Sequence, residues 1–292
     1  MEGFIDTLNG VIWSNALVYL CLGAGAYFTL ATLFLQIRCL PDMIRQLKSG
    51  ESSEQGISSF QSLMISLAGR VGVGNIAGVA TAIAFGGPGA VFWMWLVALL
   101  GSATSFIECC LAQIYKETDR DTGEYRGGPA YYIEKAYKHT SAAPFMLVYA
   151  IIFAVCMLLA TSYFLPGIQA NGVAAAVDNA WGINIWVSAT IMTVLLAFII
   201  IGGIKRIANF ASMVVPFMAG IYIIIAIVVL FANASQIPEV FGTIVRAAFD
   251  KEAAFSGMLG AAIMWGVKRG IYSNEAGQGT GPQSAAAAEV SH

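Results

Sequence analysis

Charged residues are scarce in this sequence. Only 11% of its 292 residues are Asp, Glu, Lys or Arg, whereas 58% are hydrophobic and the mean hydropathy is +0.73. A water-soluble domain of this length cannot cover its surface with so few charges. The composition therefore predicts an all-α integral membrane protein whose surroundings are the lipid bilayer.

The sequence also lacks the side-chain sets that catalysis and metal binding require. Its two histidines and five cysteines show no spacing that is typical of a metal site. No nucleophile–base set is present, so we expect no enzymatic activity and no cofactor. The net charge of −2 lacks the basic excess of a nucleic-acid-binding protein, and we expect no nucleic-acid partner.

Apolar runs long enough to cross a hydrocarbon layer of ~30 Å predict a single transmembrane domain over residues 1–292. Between the last two runs, residues 236–252 are amphipathic and are expected to lie on the membrane surface. The seventh run is apolar but is interrupted by glycine and charge. The predicted spans are 11–36, 58–85, 90–115, 144–177, 184–203, 210–232 and 254–288.

The basic residues predict the orientation, because short loops rich in Lys and Arg stay in the cytoplasm. If the first span runs inward, ten of the fifteen basic residues are cytoplasmic and only Arg246 and Lys251 are external. We therefore expect a multi-pass protein of the cell membrane, with its N-terminus outside and its C-terminus in the cytoplasm. The ten are Arg38, Arg45, Lys48, Lys116, Arg120, Arg126, Lys135, Lys138, Lys205 and Arg206.

The second span contains polar and glycine residues that a lipid-facing helix does not tolerate. The stretch Gly69–Gly78 reads GRVGVGNIAG and includes Arg70 and Asn75. Close helix packing explains glycines at this spacing, but it does not explain an asparagine and an arginine at membrane depth. A phosphate-binding loop is the soluble alternative, but no strand precedes these glycines.

We predict that this helix is interrupted near Gly72–Asn75 and that its second half begins at Ile76. The N–H groups that begin the second half would attract a carboxylate. The carbonyl oxygens that end the first half, at Gly69 and Gly72, are suited to a small hard cation such as Na⁺.

The seventh segment is interrupted in a similar way. Its irregular stretch begins at Trp265 and reads WGVKRGIYSNEAGQGTGP, and the segment runs in the opposite direction to the second span. Two broken helices of opposite direction, each opening a set of five spans, are typical of an inverted-repeat transporter. Here 58–85 would open the first set and 254–288 the second.

These stretches resemble the alanine or glycine:cation symporters, the sodium:alanine symporter family. The resemblance is carried by GPGAVFWMWLVALLG at Gly87–Gly101, by GVGNIAGVATAI, by YRGGPAYYIEKA, by GIQANGVA and by RGIYSNEAGQG. It implies a leucine-transporter-like fold and inward symport of alanine or glycine, driven by Na⁺ or in some members by H⁺. Transport of this kind requires no covalent chemistry.

The resemblance implies that Gly72, Val73, Gly74 and Asn75 line the substrate. Gln169 would reach the same cavity with its amide, although packing between helices is an alternative role for it. The predicted substrate site also includes Trp265. Many members of the family have a hydroxyl residue where this chain has Val73, so a contact made by that hydroxyl is in doubt here.

Other readings of the sequence stay open. Glu108 is expected to form a buried ion pair with Arg70, and a proton-binding role is its alternative. Trp93 and Trp95 are either a substrate gate or interfacial anchors.

Members of the family continue past position 292 with a second set of spans, so we expect a fragment, the alternative being a natural truncation. A non-transporting membrane bundle that senses or assembles is the alternative function.

Overall fold

The computed structural model describes residues 2–46, 55–249 and 258–290, and nearly all of the described elements are helices. A short β-hairpin spans residues 117–126. Before it lie α1 (Glu2–Ile12), α2 (Asn15–Ala31), α3 (Leu35–Arg38), α4 (Leu40–Gln46), α5 (Ser59–Arg70), α6 (Val73–Gly86) and α7 (Gly89–Ile114). After the hairpin lie α8 (Pro129–Tyr137), α9 (Ala143–Leu159), α10 (Leu165–Trp181), α11 (Ile185–Ile200), α12 (Gly203–Ala232), α13 (Ile237–Ala248), α14 (Met258–Asn274) and α15 (Thr280–Ala286).

Five helical segments of the described chain are long and apolar enough to cross a membrane. They are Thr7–Ala31, Ser59–Gly86, Gly89–Ile114, Ala143–Trp181 and Gly203–Ala232, and Ile185–Ile200 is a shorter apolar helix. Large apolar side chains lie exposed on these helices, for example Phe145 at 73% and Phe231 at 78%. A water-soluble protein does not expose apolar side chains on this scale, so the chain is a multi-pass membrane protein.

The segment Ala143–Trp181 is not one regular α-helix. A π-helical turn, Ala160–Phe164, separates α9 from α10, and Pro166 follows in the first turn of α10. The Thr161 hydroxyl donates to the carbonyl oxygen of Met157 at 2.8 Å. Insertions of this kind accompany functional sites more often than ordinary spans. The apolar pattern of 144–177 did not predict this turn, because a π turn changes the spacing by only one residue.

The one departure from helix among the described elements is a small antiparallel pair, β1 (Glu117–Thr118) with β2 (Tyr125–Arg126). The Asp119 carboxylate closes the turn by accepting the N–H groups of Asp121 and Thr122, at 3.0 and 2.8 Å. These hydrogen bonds, together with the Arg126 guanidinium at 2.7 Å, hold the pKa of Asp119 below its usual range. The exposed hairpin therefore keeps its turn through local polar contacts rather than through burial.

The chain divides into two compact units. The first comprises Met1–Ile44, Gly74–Ile107 and Ile221–Gln278. One of its buried clusters is formed by Val18, Val97, Val267 and Ile271, and another by Ala82, Ala90 and Met94. In this unit α14 lies directly against α7, because a Cβ atom on Gly266 would lie 2.6 Å from the Ala90 carbonyl oxygen.

The second unit comprises Arg45–Val73, Glu108–Gly220 and Gly279–His292. Its buried clusters are Ile57 with Ala208 and Ala288, and Met64 with Ala211 and Val215. Two of the points at which the chain passes between the units coincide with interruptions of a helix: Val73/Gly74 at the start of α6, and Gln278/Gly279 just before α15.

Candidate functional site

The first helix interruption lies at Val71–Gly72. The last backbone hydrogen bond at the C-terminal end of α5 runs from the Val71 N–H to the Leu67 carbonyl oxygen at 2.9 Å. The next helix, α6, begins at Val73. The predicted start of the second half at Ile76 is therefore wrong by three residues, because Gly74 and Asn75 already belong to the first turn of α6. Gly69 lies in the last turn of α5, where a helix leaves carbonyl oxygens without intrahelical donors.

The Gln169 side chain on α10 explains why α6 begins where it does. Its Oε1 accepts the N–H of Val73 at 3.1 Å, which satisfies one of the donors that a helix N-terminus leaves open. Gly72 is in contact with the same amide, since a Cβ atom there would lie 3.0 Å from Oε1 and 3.2 Å from Nε2 of Gln169. The structure thus brings together three of the predicted residues, Gly72, Val73 and Gln169, within the second unit.

The approach of α10 to the first interruption also depends on Gly172. A Cβ atom at Gly172 would lie 2.6 Å from Cγ2 of Val73, a distance that no side chain permits. The Val73 side chain therefore packs against the bare backbone of α10. Gly172 was not predicted as a site residue, although it belongs to the quoted stretch GIQANGVA.

The remaining predicted residues lie in the first unit. A Cβ atom at Gly74 would lie 2.6 Å from Cε1 of Tyr272, so α6 meets the face of this ring only because position 74 is glycine. Asn75 is half-buried and follows in the same turn. Trp265 stacks on Phe85 with ring centroids 4.9 Å apart and an angle of 20° between the planes. Gly74 and Trp265 thus both lie where α6 packs against α14.

The second interruption separates α14 from α15 and is held by amide side chains. Glu275, Gly277 and Gly279 have left-handed backbone conformations, with φ values of 57°, 81° and 84°. The Asn274 side chain accepts the Ala276 N–H at 2.9 Å, and its Nδ2 donates to the Val97 carbonyl oxygen at 3.2 Å. The side chain of Gln278 donates to the Ile271 carbonyl oxygen at 3.1 Å. A polar run, SNEAGQG, marks this interruption in the sequence.

Glu108 lies near the phenol of Tyr132 in the second unit. Burial raises the pKa of Tyr132, and the neighbouring Glu108 carboxylate raises it further, because a second negative charge there is unfavourable. The ion pair between Glu108 and Arg70 stays a prediction. Trp93 packs against Phe249 with ring centroids 6.0 Å apart, and Trp95 packs against Phe241 at 5.6 Å, so both indoles face the region of α13.

Comparison with known proteins identifies the relatives of this chain. Residues 1–292 match the sodium:alanine symporter family. The chain belongs to this family. Its resemblance to the family's motifs is thereby confirmed over the full length of the sequence. The family is described as one of sodium:alanine symporters.

Three relatives show the range of names within this family. The "Putative sodium/proton-dependent alanine carrier protein YrbD" of Bacillus subtilis (strain 168) is 54% identical over 292 residues. The "Probable sodium/glutamine symporter GlnT" of the same organism is 45% identical over 294 residues. The "Sodium/alanine symporter AgcS" of Methanococcus maripaludis is 42% identical over 291 residues. The alignments with these relatives cover 99–100% of this chain. They cover only 58%, 60% and 63% of the length of YrbD, GlnT and AgcS, respectively.

Proposed function

We propose that this protein takes part in sodium-coupled symport of small neutral amino acids, alanine or glycine, into the cell by alternating access. The observation that carries the proposal is the first helix interruption, where the N-terminus of α6 begins beside a polar amide. Two relatives named as alanine carriers support alanine as the substrate, whereas the relative named for glutamine supports a larger one.

The α6 N-terminus suits the carboxylate of an amino acid. The Val73 N–H now donates to the neutral Oε1 of Gln169 at 3.1 Å. A carboxylate is a stronger acceptor than an amide oxygen, and it gains about 0.3–2 kcal/mol from the helix dipole. On binding, the carboxylate would replace Oε1 as the acceptor, and the Gln169 Nε2 would then donate to it as well.

Glycines at the interruption favour a small ligand. In the second unit Gly72 lies beside the Gln169 amide, and in the first unit Gly74 lies against the Tyr272 ring, so each glycine leaves its own backbone open to a ligand. Backbone atoms approach a ligand closely and leave little room beyond its Cα atom when bulky rings stand behind them. This arrangement favours alanine and glycine over glutamine.

The coupling ion would bind at the end of α5. Carbonyl oxygens near Gly69 and Gly72 are hard ligands of the kind that Na⁺ prefers, and a helix C-terminus carries partial negative charge. Placing the cation beside the substrate carboxylate would make each ligand improve the affinity of the other. This reciprocity is the thermodynamic requirement for coupled transport.

A leucine-transporter-like inverted repeat would place both interruptions at the middle of the membrane. The pairs α5–α6 and α14–α15 are each interrupted by a few non-helical residues, which supports this proposal. In the proposed orientation the N-terminus is outside and α15 approaches the cytoplasm. Alternating access would then require the two halves of each broken helix to move separately.

Uptake of labelled alanine by cells that express the complete gene product tests the function. We expect saturable uptake that rises with external Na⁺ and falls when choline replaces it. Absence of saturable uptake would favour the non-transporting bundle, and uptake that is insensitive to sodium but follows the pH gradient would indicate coupling to H⁺. Competition by excess glycine or glutamine then measures the preference for side-chain size.

Variants of Gln169 test the site itself. Gln169→Glu keeps an acceptor for the Val73 N–H but replaces the donor Nε2 with a charged oxygen that repels a carboxylate. We expect Gln169→Glu to reach the membrane in normal amounts and to bind alanine at least tenfold more weakly, a loss of about 1.4 kcal/mol. If Gln169 only packs between helices, Gln169→Glu and Gln169→Met will retain the alanine affinity of the parent protein.

A further inference from the structure

A polar cavity lies in the first unit, beside α14. Its volume is about 160 Å³, which is room for several water molecules at about 30 Å³ each. Two tryptophans form apolar walls, and four polar side chains complete the lining. The lining residues are Asn9, Trp13, Trp265, Lys268, Arg269 and Tyr272.

The polar lining of this cavity consists mainly of hydrogen-bond donors. Lys268 and Arg269 are donors only, and the Asn9 amide and the Tyr272 hydroxyl can each donate. The hydroxyl oxygen of Tyr272 is buried and has no hydrogen-bond partner within the part of the chain that the structure describes. Buried hydroxyl groups in folded proteins are nearly always hydrogen-bonded, so this one favours a polar ligand or water beside it.

Lys268 and Arg269 both lie over the Trp265 ring, and neither has an acidic partner among the described residues. The Lys268 Nζ lies 5.7 Å from the ring centroids of both Trp13 and Trp265, and the Arg269 guanidinium lies 5.6 Å from that of Trp265. Among residues 2–46, 55–249 and 258–290, no carboxylate forms a salt bridge with either cation. Indole rings offset part of the cost of removing such charges from water, but they do not neutralise them.

We propose that this cavity, the Trp13–Trp265 cavity, binds a small monovalent anion. Two adjacent positive charges, an unpartnered hydroxyl and a lining without a carboxylate among the described residues together favour an anion over a cation or a neutral solute. The anion is either a halide or the carboxylate of a small organic acid. A free ammonium group would be repelled by Lys268 and Arg269.

The Trp13–Trp265 cavity is linked to the proposed substrate site through Tyr272. The same ring that lines the cavity contacts α6 at Gly74, where a Cβ atom would lie 2.6 Å from Cε1. An anion that hydrogen-bonds the Tyr272 hydroxyl would fix the position of this ring. Occupancy of the cavity would therefore change the surroundings of the first turn of α6.

Thermal unfolding of the purified complete gene product tests the proposal. At constant sodium and ionic strength, chloride or acetate replaces the larger anion gluconate, and the unfolding midpoint is recorded. We expect a saturable rise in the midpoint with at least one of the two probes. A response to acetate assigns the site to carboxylates, and a response to chloride alone assigns it to halides.

Three variants and one control separate this site from general salt effects. Lys268→Met and Arg269→Gln are expected to weaken the response at least tenfold, and Tyr272→Phe, which removes only the hydroxyl, several-fold. Arg206→Gln is the matched control, because Arg206 also lies over an aromatic ring, Phe198 at 5.7 Å, but does not line the cavity.

The proposal is overturned if neither anion raises the midpoint of the parent protein, or if all variants respond as the parent does. Should the two charge variants fail to fold, Tyr272→Phe alone decides between these outcomes. The measurement contains no transport step. A protein that binds the anion but does not take up alanine would refute the proposed function and leave this inference intact.

Discussion

The position of single glycines decides how the first interruption is built. Gly172 lets α10 lie against the Val73 side chain, and this approach places Gln169 within hydrogen-bond distance of the Val73 N–H. Gly167, five residues earlier on α10, has nothing within 4 Å of a Cβ atom placed there. The two glycines look alike in the sequence, but only one of them is in close contact.

Gly172→Ala and Gly167→Ala form a matched pair that tests this contact. We expect Gly172→Ala to displace α10 from Val73, lengthen the Gln169 hydrogen bond and weaken alanine affinity several-fold. Gly167→Ala adds a better helix former in open space and should be neutral or stabilising by roughly 0.5–1 kcal/mol. Uptake kinetics and thermal unfolding measure the two effects. Equal behaviour of the pair would show that the contact with Val73 is unimportant.

Gly74 is the second residue at which a side chain is excluded. Gly74→Leu places a branched side chain where α6 meets the Tyr272 ring and where the substrate carboxylate is proposed to bind. We expect the Gly74→Leu protein to reach the membrane in normal amounts but to show no saturable alanine uptake. Gly23→Leu on α2 is the control, since position 23 is exposed and has nothing within 4 Å. Unchanged apparent affinities for alanine and sodium in Gly74→Leu would place the substrate elsewhere.

At the scale of elements, α15 is attached to the beginning of α5 by polar contacts. The Ser62 hydroxyl donates to the Ser284 carbonyl oxygen at 2.8 Å, and the Ser66 and Ser284 hydroxyls lie 3.3 Å apart. Ile57 forms a parallel bridge with Ala288 through backbone hydrogen bonds of 2.9 and 2.8 Å. These contacts predict that α5 and α15 move together during transport.

The segment after α15 is also tied to the hairpin. The Tyr125 hydroxyl donates to the Glu289 carboxylate at 2.9 Å, and this hydrogen bond raises the pKa of Tyr125. Lys116 donates to the Ala288 carbonyl oxygen at 2.9 Å and lies 3.8 Å from the centroid of the Tyr125 ring. The hairpin therefore has a structural role, since it holds the end of the second broken helix within its unit.

A cross-link between Ile57 and Ala288 tests whether α5 and α15 move as one body. Paired strand residues lie within the distance range of a disulfide, so Ile57→Cys with Ala288→Cys should oxidise readily once the five native cysteines are replaced. We expect uptake to remain within about twofold of the reduced protein. Loss of uptake that a reductant restores would mean that α5 and α15 separate in each cycle.

At the scale of the whole molecule, the surface that the helices expose is largely apolar. A bilayer accommodates such a surface, whereas water does not. Exposed apolar side chains cover α9, α11 and α12, whereas charges are concentrated in the hairpin, in α8 and in the connections. Backbone groups within a bilayer must be satisfied internally, which explains why the described spans are helical. The orientation of the chain depends on the loop charges, two of which, Lys48 and Lys251, lie outside the described residues.

Labelling of introduced cysteines tests that orientation. In a background without native cysteines, Asp121→Cys in the hairpin should resist an impermeant thiol reagent applied to intact cells. Asn179→Cys, near the end of α10, should react under the same conditions. Both positions are exposed, so accessibility within the protein does not limit either reaction. The opposite labelling pattern would reverse the proposed topology of both broken helices.

The sequence predicted the two interrupted helices from the residues that lipid does not tolerate. Asn75 and Arg70 mark the first, and the run that contains Asn274 and Gln278 marks the second. It misplaced the start of α6, because glycines signal where a helix is weak but not which N–H group finds a partner. The hairpin was not predicted either, since its two-residue strands are too short to give a periodic pattern.

By itself the sequence determined the membrane setting, the family and the location of polar groups within apolar runs, because these depend on composition and local pattern. Only the tertiary structure decided that Gln169 caps Val73, that Gly172 rather than Gly167 is in close contact, and that Lys268 and Arg269 share one cavity. Each of these facts depends on residues that are distant along the chain or on neighbours around a helix. Such contacts follow from how helices pack, and packing is set by the shapes of all the surfaces that meet.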